Sequence, residues 1–79
     1  MEIEVRLFAT LQEYVPKGEI KHTFTLAVGE GTQIEGVLRR LKIPEKTPKI
    51  LLVNGKYATE DWILQPGDVL SIFPPLGGG

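Results

Sequence analysis

Two stretches of the chain alternate between apolar and polar side chains with a period of two, which is typical of strands with one buried face. The first runs from residue 1 to 9 and the second from residue 20 to 28. Their predicted inward positions are Ile3, Val5 and Leu7 in the first, and Ile20, His22, Phe24, Leu26 and Val28 in the second. Residues 10–14 predict a short helical turn between them, so we expect a hairpin with a long connection.

A helical period occurs between the glycines at 29–31 and Pro44, where apolar residues fall at i, i+3, i+4 and i+7. This stripe comprises Ile34, Val37, Leu38 and Leu41. Thr32 and Glu35 match a capping box, in which each side chain satisfies a free backbone N–H of the first turn. Gly36 lowers the helix propensity, so the predicted helix depends on packing against a sheet.

The second half of the chain predicts two more full strands. Residues 49–53 are apolar on both faces, which favours a position inside the sheet. Asn54-Gly55 is a strong signal for a tight hairpin turn, and residues 56–58 are expected to return from it. A short turn over residues 60–64 is predicted to place Trp62 and Ile63 inward. Pro66-Gly67-Asp68 then predicts a turn, followed by a final strand over residues 69–73.

This order of elements predicts an α+β fold of the β-grasp type. We expect a mixed sheet of four to five strands packed on one main helix, with the first and last strands paired in the middle. A ferredoxin-like arrangement would need a second full helix, which the sequence does not supply. The expected organisation is a β-grasp domain over residues 1–73 and a flexible tail over residues 74–79.

Strand parity predicts an exposed aromatic patch. Glu4 and Arg6 assign one face of the first strand to solvent, because unpaired charges do not enter a thin core. Phe8 shares that parity, and Phe73 has the corresponding position in the last strand, so both rings should point away from the helix, with Tyr57 as a third member. Such a patch marks a partner site. The alternative is that a strand end bends and packs one ring at the rim of the core.

The tail is the most unusual feature of the sequence and consists of Pro74, Pro75, Leu76, Gly77, Gly78 and Gly79. The prolines favour an extended chain, and the glycines have no side chains. Six residues reach about 20 Å from the domain at ~3.3 Å each. The tail could therefore thread a narrow channel and deliver its carboxylate to a partner's active site. A frayed terminus is the alternative, and composition alone favours it.

Composition excludes several classes of function. Nine basic and ten acidic residues give a formal net charge of −1, which disfavours nucleic-acid binding. With no cysteine and one histidine, a disulfide framework, a thiolate zinc site, a cysteine nucleophile and a histidine-rich metal cluster are excluded. The sequence has neither an apolar run long enough to span a membrane nor a secretory signal, so we expect a cytoplasmic protein. Because the chain has so few catalytic side chains, we do not expect an independent enzyme.

Three segments resemble the MoaD/ThiS family of ubiquitin-like sulfur carriers, in its molybdopterin synthase small-subunit branch. They read VRLFATLQEY, GTQIEGVLRRL and VNGKYATEDWILQPGDVLSIFPPLGGG. The resemblance covers nearly the whole chain, and the combination of V-N-G, P-G-D-x-V and a terminal F-P-P-x-x-G-G is specific. The family has the β-grasp fold, in agreement with the element order above.

The resemblance implies a function centred on Gly79. In the family, a partner of the ubiquitin-activating type adenylates the C-terminal carboxylate with ATP, and sulfur is then installed as a thiocarboxylate. The tail inserts into the large synthase subunit and donates sulfur to a pterin precursor, which builds the dithiolene that binds molybdenum or tungsten. Gly78 and Gly79 match the terminal pair, whereas Gly77 occupies a variable position. The family's partner-contacting apolar positions correspond to Phe8, Tyr57 and Phe73.

The resemblance therefore implies a non-catalytic sulfur-carrier subunit that binds no cofactor or metal itself. Its expected partners are the activating enzyme and the large synthase subunit, in a heterotetramer, with no nucleic acid or membrane. The alternative is a ubiquitin-like modifier joined to lysines, or a sulfur carrier for tRNA thiolation or thiamine synthesis. A plain interaction module with a frayed tail is a third interpretation.

Overall fold

The computed structural model describes residues 1–19 and 21–75, so the predicted inward residue Ile20 and the predicted tail residues Leu76, Gly77, Gly78 and Gly79 lie outside the described residues. Within these ranges the strands are β1 (Glu2–Leu7), β2 (Thr23–Ala27), β3 (Ile50–Val53), β4 (Lys56–Tyr57) and β5 (Val69–Phe73). A 3₁₀ helix spans Ala9–Tyr14, and the α-helix α1 spans Ile34–Arg40. The strands form one mixed sheet in the order β2-β1-β5-β3-β4.

The centre of the sheet is the parallel pair of β1 and β5. On either side, β2 pairs with β1 and β3 pairs with β5, both antiparallel. The β1–β5 register sets Val5 beside Leu70 and Leu7 beside Ile72, so the apolar side chains of both strands lie on one face. The predicted β-grasp fold, with the first and last strands paired in the middle, is confirmed.

The core lies between that face of the sheet and α1. The predicted inward positions of β1 and the helical stripe are all buried, and alternate positions of the other long strands join them. The core side chains of the sheet and α1 are Ile3, Val5, Leu7, Phe24, Leu26, Leu51, Val53, Leu70, Ile72, Ile34, Val37 and Leu38. The opposite face of the sheet has no covering helix among the described residues and is termed the open face.

The predicted capping box of α1 does not form. The helix begins at Ile34, one residue later than a Thr32 cap requires, and the Thr32 hydroxyl instead donates to the Gly29 carbonyl at 2.6 Å. The first backbone N–H groups of α1 are satisfied from a distant segment: Ile34 N donates to the Trp62 carbonyl at 3.1 Å and Glu35 N to the Glu60 carbonyl at 2.9 Å. Tertiary backbone bonds thus replace the local side-chain cap.

The same contacts explain why the prediction for Trp62 and Ile63 was wrong. Trp62 is 43% exposed and Ile63 52% exposed, and Leu64 enters the core in their place. The segment lies antiparallel to the start of α1, with a bridge between Gln33 and Ile63 and a bond from Leu64 N to the Thr32 carbonyl at 2.9 Å. These backbone bonds set the direction of each side chain.

His22 was also predicted to point inward with the buried positions of the second strand, and the structure contradicts this. The strand begins only at Thr23, and His22 is exposed. β1 ends at Leu7, and the chain turns away at Ala9, which has a φ of +52°. The ladder between the two strands therefore ends where Leu7 N donates to the His22 carbonyl, at 2.8 Å.

Candidate functional site

Phe8 and Phe73 stack on each other on the open face. Their ring centroids are 4.2 Å apart and their planes differ by only 4°. Phe73 follows the buried Ile72 in β5 and therefore projects from the other face of the sheet. The Phe8 N–H donates to the Ile72 carbonyl at 3.1 Å, which holds Phe8 beside the end of β5. Both side chains are half-buried, so the pair presents an apolar ring surface to solvent.

A backbone turn holds Phe8 in this position. Ala9 has a φ of +52°, a left-handed conformation that is uncommon for a residue with a side chain. This turn leads into the 3₁₀ helix, whose Leu11 is buried in the core and donates its backbone N–H to the Phe8 carbonyl at 3.0 Å. Anchored on both sides of Ala9, the chain presents Phe8 to Phe73.

Tyr57 lies on the same face, two strands away. A row of paired residues crosses the sheet from Arg6 through Ser71 and Leu52 to Tyr57, which is 82% exposed. In the next row Ile50 pairs with Phe73. Together these residues form the aromatic face, defined as Phe8, Phe73, Tyr57, Ile50 and Leu52. The structure thus places the three predicted partner-binding residues on one face of the sheet.

Sequence reasoning missed three neighbours of the predicted residues. Ile50 and Leu52 were assigned only to an interior strand, although strand parity with the buried Leu51 was a signal for their open-face position. The His22 ring lies 5.8 Å from that of Phe8, with the planes at 53°. The alternation over residues 20–28 predicted an inward His22, so no pattern in the sequence indicated its contact with Phe8.

The predicted tail leaves the sheet next to the aromatic face. Pro74 and Pro75, both half-buried, follow Phe73 directly and line a cavity of about 230 Å³. The remaining walls come from the 3₁₀ helix and from the loop before β3, and they comprise Thr10, Leu11, Thr47 and Pro48. The start of the tail is therefore packed against the domain, and the glycines lie outside the described residues.

At the other end of β5, a buried carboxylate fixes the strand. Asp68 accepts hydrogen bonds from Gln65 N at 2.9 Å and from the Asn54 side chain at 3.0 Å. Burial alone would raise the pKa of Asp68, but these two bonds, with a further contribution from the Trp62 side chain, lower that pKa below its ordinary value. Asp68 was predicted only as a turn residue, and the structure adds this bonding role.

Glu4 and Arg6 form an ion pair beside the aromatic face on β1. Such an exposed pair contributes at most about 1 kcal/mol to stability. Within residues 1–19 and 21–75, no group of three or more His, Asp or Glu side chains is arranged to hold a metal ion. Among the same residues, no helix is long and apolar enough to cross a membrane.

The family model of ThiS matches residues 5–79, which includes the second half of β1, the aromatic face and the tail. The chain belongs to the ThiS family. Proteins of this ThiS/MoaD type are small ubiquitin-like sulfur carriers or modifiers. No curated protein sequence matches the chain.

Several solved structures share the fold over almost the whole chain. The Haloferax volcanii HVO 2177 protein is 29% identical, with a TM-score of 0.78 over 100% of this chain and 87% of that one. SAMP1 from Haloferax volcanii is 24% identical, with a TM-score of 0.76 over 100% of both chains. Subunit 1 in the complex of subunits 1 and 2 of the molybdopterin-converting factor from Helicobacter pylori is 21% identical, with a TM-score of 0.66 over 100% of both chains.

Proposed function

We propose that this ThiS-family protein carries sulfur as a thiocarboxylate on Gly79 and donates it to a pterin precursor in molybdopterin synthesis. The observation that carries this proposal is the Phe8–Phe73 stack immediately before the packed Pro74 and Pro75. A partner that binds this apolar surface is thereby placed where the glycine tail begins. The domain positions the tail, and the reacting group is the main-chain carboxylate.

The carboxylate must be activated before it can accept sulfur, because an oxide is a poor leaving group. In the proposed reaction, a carboxylate oxygen of Gly79 attacks the α-phosphorus of ATP on an activating enzyme, and pyrophosphate leaves. Hydrosulfide then adds to the acyl carbon of this adenylate and displaces AMP, and loss of its proton leaves a thiocarboxylate. The carrier supplies only its terminal carboxylate, so it needs no side-chain nucleophile, base, metal or bound cofactor of its own.

Delivery of the sulfur requires a tail that fits a narrow channel. Beyond the packed Pro75, Leu76 and three glycines extend at most about 13 Å at ~3.3 Å per residue. Glycine lets the backbone approach a partner closely because it has no Cβ. In the proposed complex, the aromatic face binds a large synthase subunit in a heterotetramer, while the tail reaches its active site. The Helicobacter pylori complex, in which a subunit 1 of this fold is bound to subunit 2, supports a partner of that kind. We place this chemistry in the cytoplasm.

Conjugation to lysines of target proteins is the second candidate function. It uses the same adenylate, but a lysine amine rather than sulfur displaces AMP and forms an amide bond. The structural match to SAMP1, a small archaeal modifier protein, extends over the whole of both chains and supports this candidate at the level of the fold. Sulfur delivery for tRNA thiolation or thiamine synthesis would use the same thiocarboxylate with a different acceptor.

Intact mass spectrometry after co-expression with an activating enzyme and a sulfur donor tests the carrier function. We expect a gain of about 16 Da, the difference between sulfur and oxygen, and no gain after deletion of Gly79. The modified protein, mixed with a large synthase subunit and the pterin precursor, should yield the dithiolene product. An unchanged mass, with normal behaviour of the Gly79 deletion in cells, would refute the carrier function. Gly79–lysine adducts without dithiolene product would favour the modifier.

A further inference from the structure

Trp62 and Ile63 form an exposed apolar pair away from the aromatic face, and the β-grasp core does not use them. They are 43% and 52% exposed, and they are consecutive residues of the chain between β4 and β5. We propose that this pair, with the carboxylates of Glu60 and Asp61, is a second docking surface for a protein segment that carries basic side chains next to an apolar one. We call these four residues the Trp62 surface.

The backbone of the Trp62 surface is fixed before any partner binds. Trp62 N donates to the Thr59 carbonyl at 3.0 Å, and the Trp62 carbonyl accepts the bond from Ile34 N. The Gln33 side chain donates to the Asp61 carbonyl at 3.1 Å, and the buried Leu64 anchors the segment in the core. A partner would therefore bind a formed surface and lose little free energy in ordering it.

The position of the Trp62 surface makes it independent of the tail. Its backbone is bonded to the first turn of α1, and α1 covers the sheet face opposite Phe8 and Phe73. The Trp62 side chain lies near Asp68, which precedes β5, whereas Phe73 lies at the other end of that strand. A protein bound at the aromatic face thus leaves Trp62 and Ile63 exposed.

Charge indicates what kind of partner fits. Between residues 57 and 75 the chain carries Glu60, Asp61 and Asp68 and no lysine or arginine. Glu60 also lines a cavity of about 230 Å³ beside α1, whose other charged residues are Glu35, Arg39 and Glu45. Arg39 is paired with Glu35 at 2.7 Å, so the charges of Glu45 and Glu60 leave this cavity acidic. A lysine or arginine of the partner would be attracted to this cavity, which Glu60 joins to the Trp62 surface.

The same charges argue against other occupants. Nucleic acid and anionic lipid would be repelled by Glu60 and Asp61. A symmetric contact with a second copy of this chain would bring both sets of carboxylates together, and like charges at close range are unfavourable. A basic and apolar protein segment satisfies both parts of the Trp62 surface.

Trp62 is the only tryptophan of the chain, so its fluorescence reports binding directly. The probe is a synthetic peptide of Lys-Leu-Leu repeats, with a Glu-Leu-Leu peptide as the matched control. We expect the lysine peptide to shift Trp62 emission to the blue, as the indole leaves water, and the glutamate peptide to leave it unchanged. Ile63→Ser should weaken binding about fivefold or more, the loss typical of a central apolar contact.

Two substitutions with the same change in net charge separate a site from general attraction. Glu60→Lys replaces a negative with a positive charge on the Trp62 surface, whereas Glu13→Lys makes the same change on the exposed face of the 3₁₀ helix. We expect Glu60→Lys to weaken binding of the lysine peptide about tenfold and Glu13→Lys less than twofold. Phe73→Asp should leave it unchanged, so the outcome does not depend on the proposed sulfur chemistry.

Three results would overturn the proposal. Equal losses from Glu60→Lys and Glu13→Lys would show unspecific attraction of a cationic peptide. An unchanged emission on addition of the lysine peptide would show that the apolar pair does not bind it. Self-association in sedimentation, abolished by Ile63→Ser, would assign the surface to a second copy of the chain instead.

Discussion

Asn54 and Asp68 join the β3–β4 turn to the start of β5. The Asn54 side-chain nitrogen donates to the Asp68 carboxylate at 3.0 Å, while its side-chain oxygen accepts the Val69 N–H at 2.9 Å. The Asn54 backbone N–H also donates to the Val69 carbonyl, at 2.9 Å. Two segments far apart in sequence are thus held by one amide side chain, and the central strand β5 begins at a fixed point.

Removal of the Asn54 side chain should destabilise the domain. Asn54 has a φ of +52°, so Asn54→Gly keeps the turn conformation and deletes only the two side-chain bonds. We expect a loss of about 1–3 kcal/mol in the free energy of unfolding, because a buried carboxylate loses a donor. Urea denaturation measures it. Gly55→Ala is the contrasting variant, because it keeps both bonds of the Asn54 side chain. It changes only the backbone strain, at a residue with a φ of +84°. An Asn54→Gly variant as stable as the wild type would contradict the role of this side chain.

The lowered pKa of Asp68 makes part of the stability depend on pH. The pKa of Asp68 is lower in the folded protein than in the unfolded protein, where it is near 3.9. Its ionised form therefore stabilises the fold above the unfolded pKa. This contribution disappears as the pH falls through the folded pKa. We therefore expect Asp68→Asn to be less stable than the wild type at pH 7 and the difference to shrink below about pH 4. Unfolding curves from pH 2 to 7 test this. A difference that stays constant with pH would show that the charge of Asp68 is not the cause.

Phe73→Asp should reduce binding to a large synthase subunit and leave cooperative unfolding intact. The half-buried ring contributes to the aromatic face rather than to the core, and an aspartate there places a charge in an apolar interface. We expect affinity to fall at least tenfold, the effect of losing a central aromatic contact. Isothermal titration calorimetry measures the affinity. Ile72→Ala, at the neighbouring buried position, should instead lose about 2–5 kcal/mol of stability. Unfolding of the Phe73→Asp variant would show that Phe73 belongs to the core.

Ala9→Gly should stabilise the chain or leave it unchanged, unlike most substitutions to glycine. The left-handed conformation costs alanine about 1–2 kcal/mol, and glycine avoids that cost. Glycine also lowers the free energy of unfolding by up to about 1 kcal/mol, because it raises the entropy of the unfolded chain. Ala9→Val should destabilise the domain and reduce the stacking of Phe8. Thermal unfolding compares these variants with Ala27→Gly in β2, which should cost about 1 kcal/mol. A destabilised Ala9→Gly would contradict the strained turn.

Alternation and turn chemistry predicted most of the sheet. The pattern of Ile3, Val5 and Leu7 gave the buried face of β1, and the Asn54-Gly55 turn has the positive φ values that its sequence predicts. Strand parity also predicted that Phe8 and Phe73 lie on the same face of the sheet. These features depend on neighbours in sequence or on the period of a strand, so local patterns contain them.

The errors concern segments whose conformation is set by distant backbone bonds. Thr32 and Glu35 have the spacing of a capping box, but carbonyls of the 60–62 segment satisfy the helix instead. Trp62 is large and apolar, and composition alone assigns it to a core; the bridge at Gln33 turns it outward. Pro74 and Pro48 line the same cavity, although they come from segments with no local relation in sequence.

The parallel pairing of β1 and β5 has a mechanical consequence. A pull on the chain at Pro74 acts along β5, whose hydrogen bonds to β1 and β3 run across the direction of that force. The ladders are then loaded in shear, so many bonds share the load and must break together, whereas a peeled strand loses them one at a time. Repeated insertion of the tail into a tight channel and its withdrawal would therefore leave the domain folded.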